Sequence, residues 1–301
     1  MRIGIFGGDF AGRTVDDVVA AAHAVHDEGF PTFWVPQVFG FDALTLLGIV
    51  GREVPDIELG TAVVPTYPRH PMTLAAQALT VQAITDGRLA LGIGLSHQMV
   101  VEGMWGISFE KPVRHMREYL TVLNALVQDG KVAFNGETLS ANGAVDVNGA
   151  APMPVIVAAL GPKMLELAGA TADGTITWMT GPKAIGEHIV PTITAAAERA
   201  GRPRPRVVVG LPVCVTDEPD AARERAAKIF QIYGSLPSYR AMLDRSGADD
   251  PSGVVIVGDE ATVSDQIARL ADLGADDLVA AEFASPKSPD RERTRALLRS
   301  L

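Results

Sequence analysis

Glu58-Leu59-Gly60-Thr61-Ala62-Val63-Val64-Pro65-Thr66-Tyr67-Pro68-Arg69-His70-Pro71 runs from an apolar, β-branched segment straight into a helix start. The pattern predicts a strand over 58–64 and a helix opening at Pro71, since proline suits a first helical turn where its missing N–H is not needed. His70 then falls at the N-cap. The same strand-then-helix unit recurs on both sides of this stretch. Upstream, strands are expected over 2–6 and 33–36. The first helix follows Thr14 as N-cap, with Asp16 and Asp17 in the turn where the helix dipole favours acids, and stops near Gly29; the second covers 43–51. Downstream, a strand over 88–94 leads through a loop over 99–109 to an amphipathic helix over 112–128. Strands over 154–158 and 174–178 are each followed by Gly-Pro-Lys, at 161–163 and 181–183. A long apolar strand over 206–215 precedes an insertion carrying a helix over 219–233, and Asp259 caps a helix reaching 273. A strand over 277–283 and a helix over 289–301 close the series.

Eight such pairs read as one α/β domain over 1–301, a (β/α)8 TIM barrel. The departures are a small β excursion between 132 and 148, after the fourth helix, and the helical insertion after strand seven. A doubly wound open sheet is the competing architecture. It would carry a phosphate loop such as Gly-x-Gly-x-x-Gly after an early strand, and Gly7-Gly8-Asp9-Phe10-Ala11-Gly12 matches that only loosely.

Composition narrows the function. The apolar fraction is 47% and the mean hydropathy +0.18, which excludes a disordered chain. The longest nearly unbroken apolar run, 207–215, is far below the roughly 18 residues of a membrane span. Gly7-Gly8-Asp9 interrupts the amino-terminal apolar segment too early for a signal peptide. Cys214 is the only cysteine, which suits a reducing, cytoplasmic setting. The formal charge of −10 disfavours nucleic acid and anionic membranes as partners, leaving a small-molecule organic substrate.

In a barrel, the residues just past each strand build the pocket. Here they are mostly apolar or aromatic, including Phe10, Gln37, Phe39, Ala62, Val63, Trp105 and Trp178. Such a mouth suits a flat conjugated cofactor better than a small charged substrate. His97, three residues past Gly94, titrates near neutrality and is placed to exchange a proton with a substrate; a capping or packed histidine is the other reading. Ala159-Leu160-Gly161-Pro162 puts free N–H groups at a helix start where a phosphate could bind, although Gly-Pro there is also ordinary start punctuation. The histidines at 23, 26, 115 and 188 fall in helical stretches and read as surface or packing residues. No metal-ligand spacing and no nucleophile elbow occurs.

Three segments taken in order, 59–71, Gly87-Arg88-Leu89-Ala90-Leu91-Gly92-Ile93-Gly94 and Ala158-Ala159-Leu160-Gly161-Pro162, resemble the bacterial-luciferase-like oxidoreductases over nearly the whole chain. Ser96-His97 and 101–106 are most similar to actinobacterial members that use the deazaflavin coenzyme F420. The resemblance implies a TIM barrel whose mouth holds F420, or FMN as the alternative, and a non-prolyl cis bond at Ala62-Val63 against which the ring packs. It implies phosphate contacts at Ala159, Leu160 and Gly161 beside Pro162, ring orientation by Gln37, and proton chemistry at His97. Phe10, Phe39, Trp105 and Trp178 would line the substrate pocket, and a homodimer through helices near strands two and three is implied as well. Sugar-phosphate dehydrogenases of this family carry Asp-His after strand two, where this chain has Gln37-Val38, so that activity is not expected. The expected function is hydride transfer between the deazaflavin C5 and a small apolar or conjugated substrate. An FMN-dependent two-component monooxygenase and a non-catalytic flavin-binding protein are the alternatives.

Overall fold

The strands of the computed structural model, which describes residues 1–8, 12–285 and 288–301, fall close to the expected positions. In chain order they are β1 (Arg2–Phe6), β2 (Thr32–Val35), β3 (Glu58–Thr61), β4 (Val64–Pro65), β5 (Leu89–Gly94), β6 (Lys131–Asn135), β7 (Ser140–Ala144), β8 (Val155–Val157), β9 (Gly174–Trp178), β10 (Arg206–Val215), β11 (Ile256–Gly258) and β12 (Asp277–Glu282). Parallel pairing runs β1-β2-β3-β5-β8-β9-β10-β12, and β12 pairs back onto β1. That closure makes an eight-stranded TIM barrel and excludes the open sheet. The antiparallel pair β6-β7 is the expected β excursion.

The helices are α1 (Val15–Asp27), α2 (Ala43–Glu53), α3 (Pro71–Ile84), α4 (Gln98–Gly103), α5 (Pro112–Asp129), α6 (Pro162–Thr171), α7 (Pro182–Ala184), α8 (Val190–Arg199), α9 (Pro219–Ile229), α10 (Gln231–Ser235), α11 (Pro237–Ser246), α12 (Glu260–Asp272) and α13 (Asp290–Ser300). A π-helical turn, Ile185–Ile189, joins α7 to α8. The expected caps form. The Thr14 hydroxyl accepts from the Asp17 N–H while the Asp17 carboxylate accepts from the Thr14 N–H, a reciprocal capping box. His70 Nδ1 accepts from the Met72 N–H, and Asp259 accepts from the Thr262 N–H.

Three expectations need correction. The third barrel strand breaks after Thr61 and resumes at Val64. Its register on β5 passes from Gly60↔Ala90 to Val64↔Ile93, so four steps on one strand face three on the other, a bulge. The cis peptide Ala62-Val63 lies inside that interval. Val63 nests on Gly92 and Gly94, where a Cβ would approach its methyl groups to 3.2 and 2.7 Å. Secondly, the stretch expected as a loop over 99–109 begins with α4, too short for its period to show. Thirdly, the insertion is not one helix over 219–233. It divides at Phe230 and again before Pro237, and it ends in β11, a three-residue strand on the carboxyl end of β10.

Inside the barrel, Trp34, Ala90, Ile156, Ile176, Val208 and Val279 form a sealed apolar layer. Beneath it, Arg206 donates to both oxygens of the buried Asp277 at 2.7 and 2.9 Å and ion-pairs with Glu58, its guanidinium over the Trp34 ring. Outside the barrel, Glu118 of α5 holds the β6-β7 turn by accepting from the N–H groups of Glu137, Thr138 and Leu139 and from the Thr138 hydroxyl. Burial alone would raise this carboxyl, but those donors outweigh it and hold its pKa at about 2. Among the described residues, no helix is long and apolar enough to cross a membrane.

Candidate active site

Barrel geometry gathers the strands' carboxyl ends at one mouth, and its two halves differ in character. One half is made of small residues. Ala62 and Val63 from the bulge and Ala158 past β8 lie half-buried with Phe6 on the sealed interior layer. The other half is aromatic. Trp178, at the end of β9, stacks on Phe6 with ring centroids 5.4 Å apart and planes at 23°. The insertion completes this wall: Phe230 and Tyr233 meet Trp178 edge-on at 6.0 and 6.1 Å, and Phe230 reaches Phe283 at 6.0 Å. Tyr239 meets Tyr233 at 4.9 Å and His97 at 5.6 Å, which ties the insertion to the loop after β5.

His97 occupies the N-cap position of α4, yet its ring makes no capping bond. The preceding Ser96 is in the left-handed region at φ 65°. The imidazole is half-buried beside Tyr239, and burial disfavours its cation and lowers its pKa. The Trp178 N–H is buried with no acceptor in hydrogen-bond geometry among the described residues. Burial raises the Tyr233 phenol, and the Trp178 N–H nearby offsets part of that rise.

Beyond β8, Ala159 is buried, Leu160 half-buried, and Gly161 and Pro162 exposed at the start of α6, whose N-cap lacks a side-chain partner. His188, expected on a surface or packed, is packed: it is nearly buried, with Nε2 2.8 Å from the Leu160 carbonyl oxygen to which it donates. It comes from the π-helical turn, a feature frequent near functional sites. The Gln37 Oε1 accepts from the Ala43 N–H at 2.8 Å and so caps α2, leaving the amide nitrogen for other contacts. Phe39 is 62% exposed and Trp105 half-buried past α4. Phe10 lies outside the described residues. The structure thus brings Ala62, Val63, His97 and Trp178 towards one mouth and sets Gln37 against a helix end.

Sequence reasoning missed the contributions of Phe230, Tyr233, Tyr239 and Phe283. It also missed a cluster after β4, where Tyr67 stacks on His115 at 4.0 Å and 6° and His115 Nε2 shares a hydrogen with the Thr66 hydroxyl at 3.0 Å. Burial, aided by Glu102, pushes Tyr67 up to about 12, and burial lowers His115 to about 4 against a small opposing effect of Glu118. Only the aromatic identity of the insertion residues hinted at their place, because nothing local in sequence registers them on the barrel. Among the described residues, no group of acidic, histidine or cysteine side chains suits a metal.

Residues 1–277 match the family described as luciferase-like monooxygenase. A 5,10-methylenetetrahydromethanopterin reductase from Methanolobus tindarius is 31% identical over 254 residues, covering 81% of this chain and 77% of that protein. A putative coenzyme F420-dependent oxidoreductase from Mycobacterium tuberculosis is 28% identical over 253 residues, covering 79% and 72%. The solved coenzyme F420-dependent tetrahydromethanopterin reductase of Methanopyrus kandleri shares the fold with a TM-score of 0.81 at 22% identity, over 99% of this chain and 98% of that one. The chain therefore belongs to the luciferase-like monooxygenase family and is an enzyme of that family.

Proposed function

We propose that the chain is a coenzyme F420-dependent oxidoreductase that moves a hydride between the deazaflavin and a small apolar or conjugated organic substrate. The observation that carries this reading is the divided mouth, with a small-residue floor facing an aromatic wall and an imidazole between the barrel and the insertion. The floor suits a planar ring, since Ala62, Val63 and Ala158 are short side chains packed on the sealed layer, with Val63 seated on Gly92 and Gly94. When bound, the deazaflavin supplies or accepts a hydride at C5, chemistry that favours two-electron transfer over oxygen activation.

The chain's own residues divide the remaining work. Ala62, Val63 and Ala158 support the ring, and the free Gln37 amide nitrogen is a donor for a ring carbonyl. Ala159, Leu160, Gly161 and Pro162 present the exposed start of α6 to an anionic arm. His97 gives or takes the substrate proton, Trp178 forms the wall beside the substrate, and Phe39 and Trp105 stand at the rim. The naming of the mycobacterial relative as F420-dependent supports the cofactor. Incubation with reduced F420 and menadione without oxygen should restore the visible absorbance of the oxidised deazaflavin. Oxygen-dependent consumption of reduced FMN, with no turnover of F420, would replace this reading by the monooxygenase.

We further propose a cytoplasmic homodimer. Support comes from a groove along α2 and α3 lined by Gly48, Ile49, Ala76, Gln77, Thr80 and Ile84. Ile49 and Ile84 are exposed there, while the Gln77 side-chain oxygen is buried with no partner among the described residues. Sedimentation should give two chains per particle, reduced to one by Ile49→Glu with Ile84→Glu; a monomeric wild type would refute the dimer.

A further inference from the structure

The Trp178 indole can only donate. Buried donors in folded proteins almost always have a partner, so an N–H at the end of β9 with none in hydrogen-bond geometry among the described residues points to an acceptor that arrives with a ligand. The Tyr233 hydroxyl is a second donor beside it, near enough for the Trp178 N–H to offset part of the phenol's rise, and its ring is edge-on to Trp178 at 68°. A carbonyl oxygen has two lone pairs and accepts from both. Among the described residues, the rings that meet Trp178 are those of Phe6, Phe230 and Tyr233, all uncharged, and none of them offers a counter-charge to a carboxylate or phosphate. A neutral carbonyl on a flat conjugated frame needs none.

We infer that the Trp178 N–H and the Tyr233 hydroxyl together hold the carbonyl oxygen of the substrate, which makes the substrate class planar conjugated carbonyl compounds, enones or quinones. This rests on the reading of the mouth as a deazaflavin hydride-transfer site. In an enone, hydride from the reduced deazaflavin forms a C–H bond at the β-carbon. The C=C pair shifts towards the α-carbon and the carbonyl pair moves onto oxygen, giving an enolate. The two donors then face a full negative charge and bind it more strongly than the starting carbonyl, which is how they lower the barrier. A proton from His97 reaches the α-carbon and restores the C=O. The substrate gains one hydride and one proton, and the deazaflavin is oxidised by two electrons.

The test uses full-length wild type, Trp178→Phe and Tyr233→Phe with menadione as the probe. It measures F420 affinity by quenching of deazaflavin fluorescence and menadione affinity with oxidised F420 bound. The infrared carbonyl stretch of menadione is read with and without F420. Both variants should keep F420 affinity within about twofold and bind menadione roughly tenfold more weakly, the loss expected for one hydrogen bond. The carbonyl stretch should return towards its value in free solution, and kcat should fall with reduced F420. Tyr233→Phe removes one oxygen and guards against a packing effect of the larger change. Wild-type menadione affinity and an unmoved stretch in both variants would overturn the inference, as would lost F420 affinity with menadione binding intact, which assigns the donors to the cofactor. Should wild type bind no F420, the cofactor reading falls alone, because the stretch in cofactor-free protein still decides the donor pair.

Discussion

Replacing His97 with alanine is expected to lower turnover about a hundredfold or more while leaving F420 affinity nearly unchanged. The ring contributes little that the fold needs. It makes no capping bond to α4 and meets the Tyr239 ring at a tilt of 52°, so its removal should disturb neither helix nor insertion. Its burial also sets the pH response. The imidazole pKa lies below its usual value, so at neutral pH the ring is mostly unprotonated. In the direction of substrate reduction the cation is the proton donor, so kcat/KM should fall as pH rises through a value below about 6.5, the unperturbed histidine pKa. In the opposite direction the neutral ring is the base, and activity should rise through the same value. His97→Ala should flatten both limbs. Equal turnover and an unchanged profile in the variant would remove His97 from the reaction.

Asp277→Ala is expected to destabilise the fold by about 3 kcal/mol and to lower the melting temperature by roughly 5 °C in a chain of this length. Asp277 is 1% exposed and takes both bonds of the Arg206 fork, while Arg2 reaches it from the rim. Removing the carboxylate leaves a largely buried guanidinium with Glu58 as its remaining partner, which keeps the loss at the low end for a broken buried pair. Because this network lies under the sealed layer, at the strand ends opposite the mouth, F420 affinity at low temperature should be retained. A melting temperature within about 1 °C of wild type would show that Glu58 alone satisfies Arg206.

The difference between what was legible and what was not follows the range of the interactions. Thr14, His70 and Asp259 act within three residues of themselves, and their caps form as the sequence indicates. Strand positions were legible because barrel strands are buried on both faces and read as short apolar runs. The register step between Gly60 and Val64 was not, because it depends on how Val63 meets two glycines about thirty residues further along the chain. Trp178 was identified from its place at a strand end, but Tyr233 and Tyr239, which contact it or each other, belong to an insertion whose docking no local pattern encodes. His188 shows the same limit. Its helical position was correct, while its bond to Leu160 depends on a π turn and on a contact 28 residues away.

The proposed deazaflavin site is tested most directly by side-by-side equilibrium titrations of the purified chain with F420 and with FMN, following fluorescence quenching. Expected is saturable one-site binding of F420, with FMN at least about tenfold weaker, a difference of roughly 1.4 kcal/mol. Preference for FMN, or binding of neither, would contradict it.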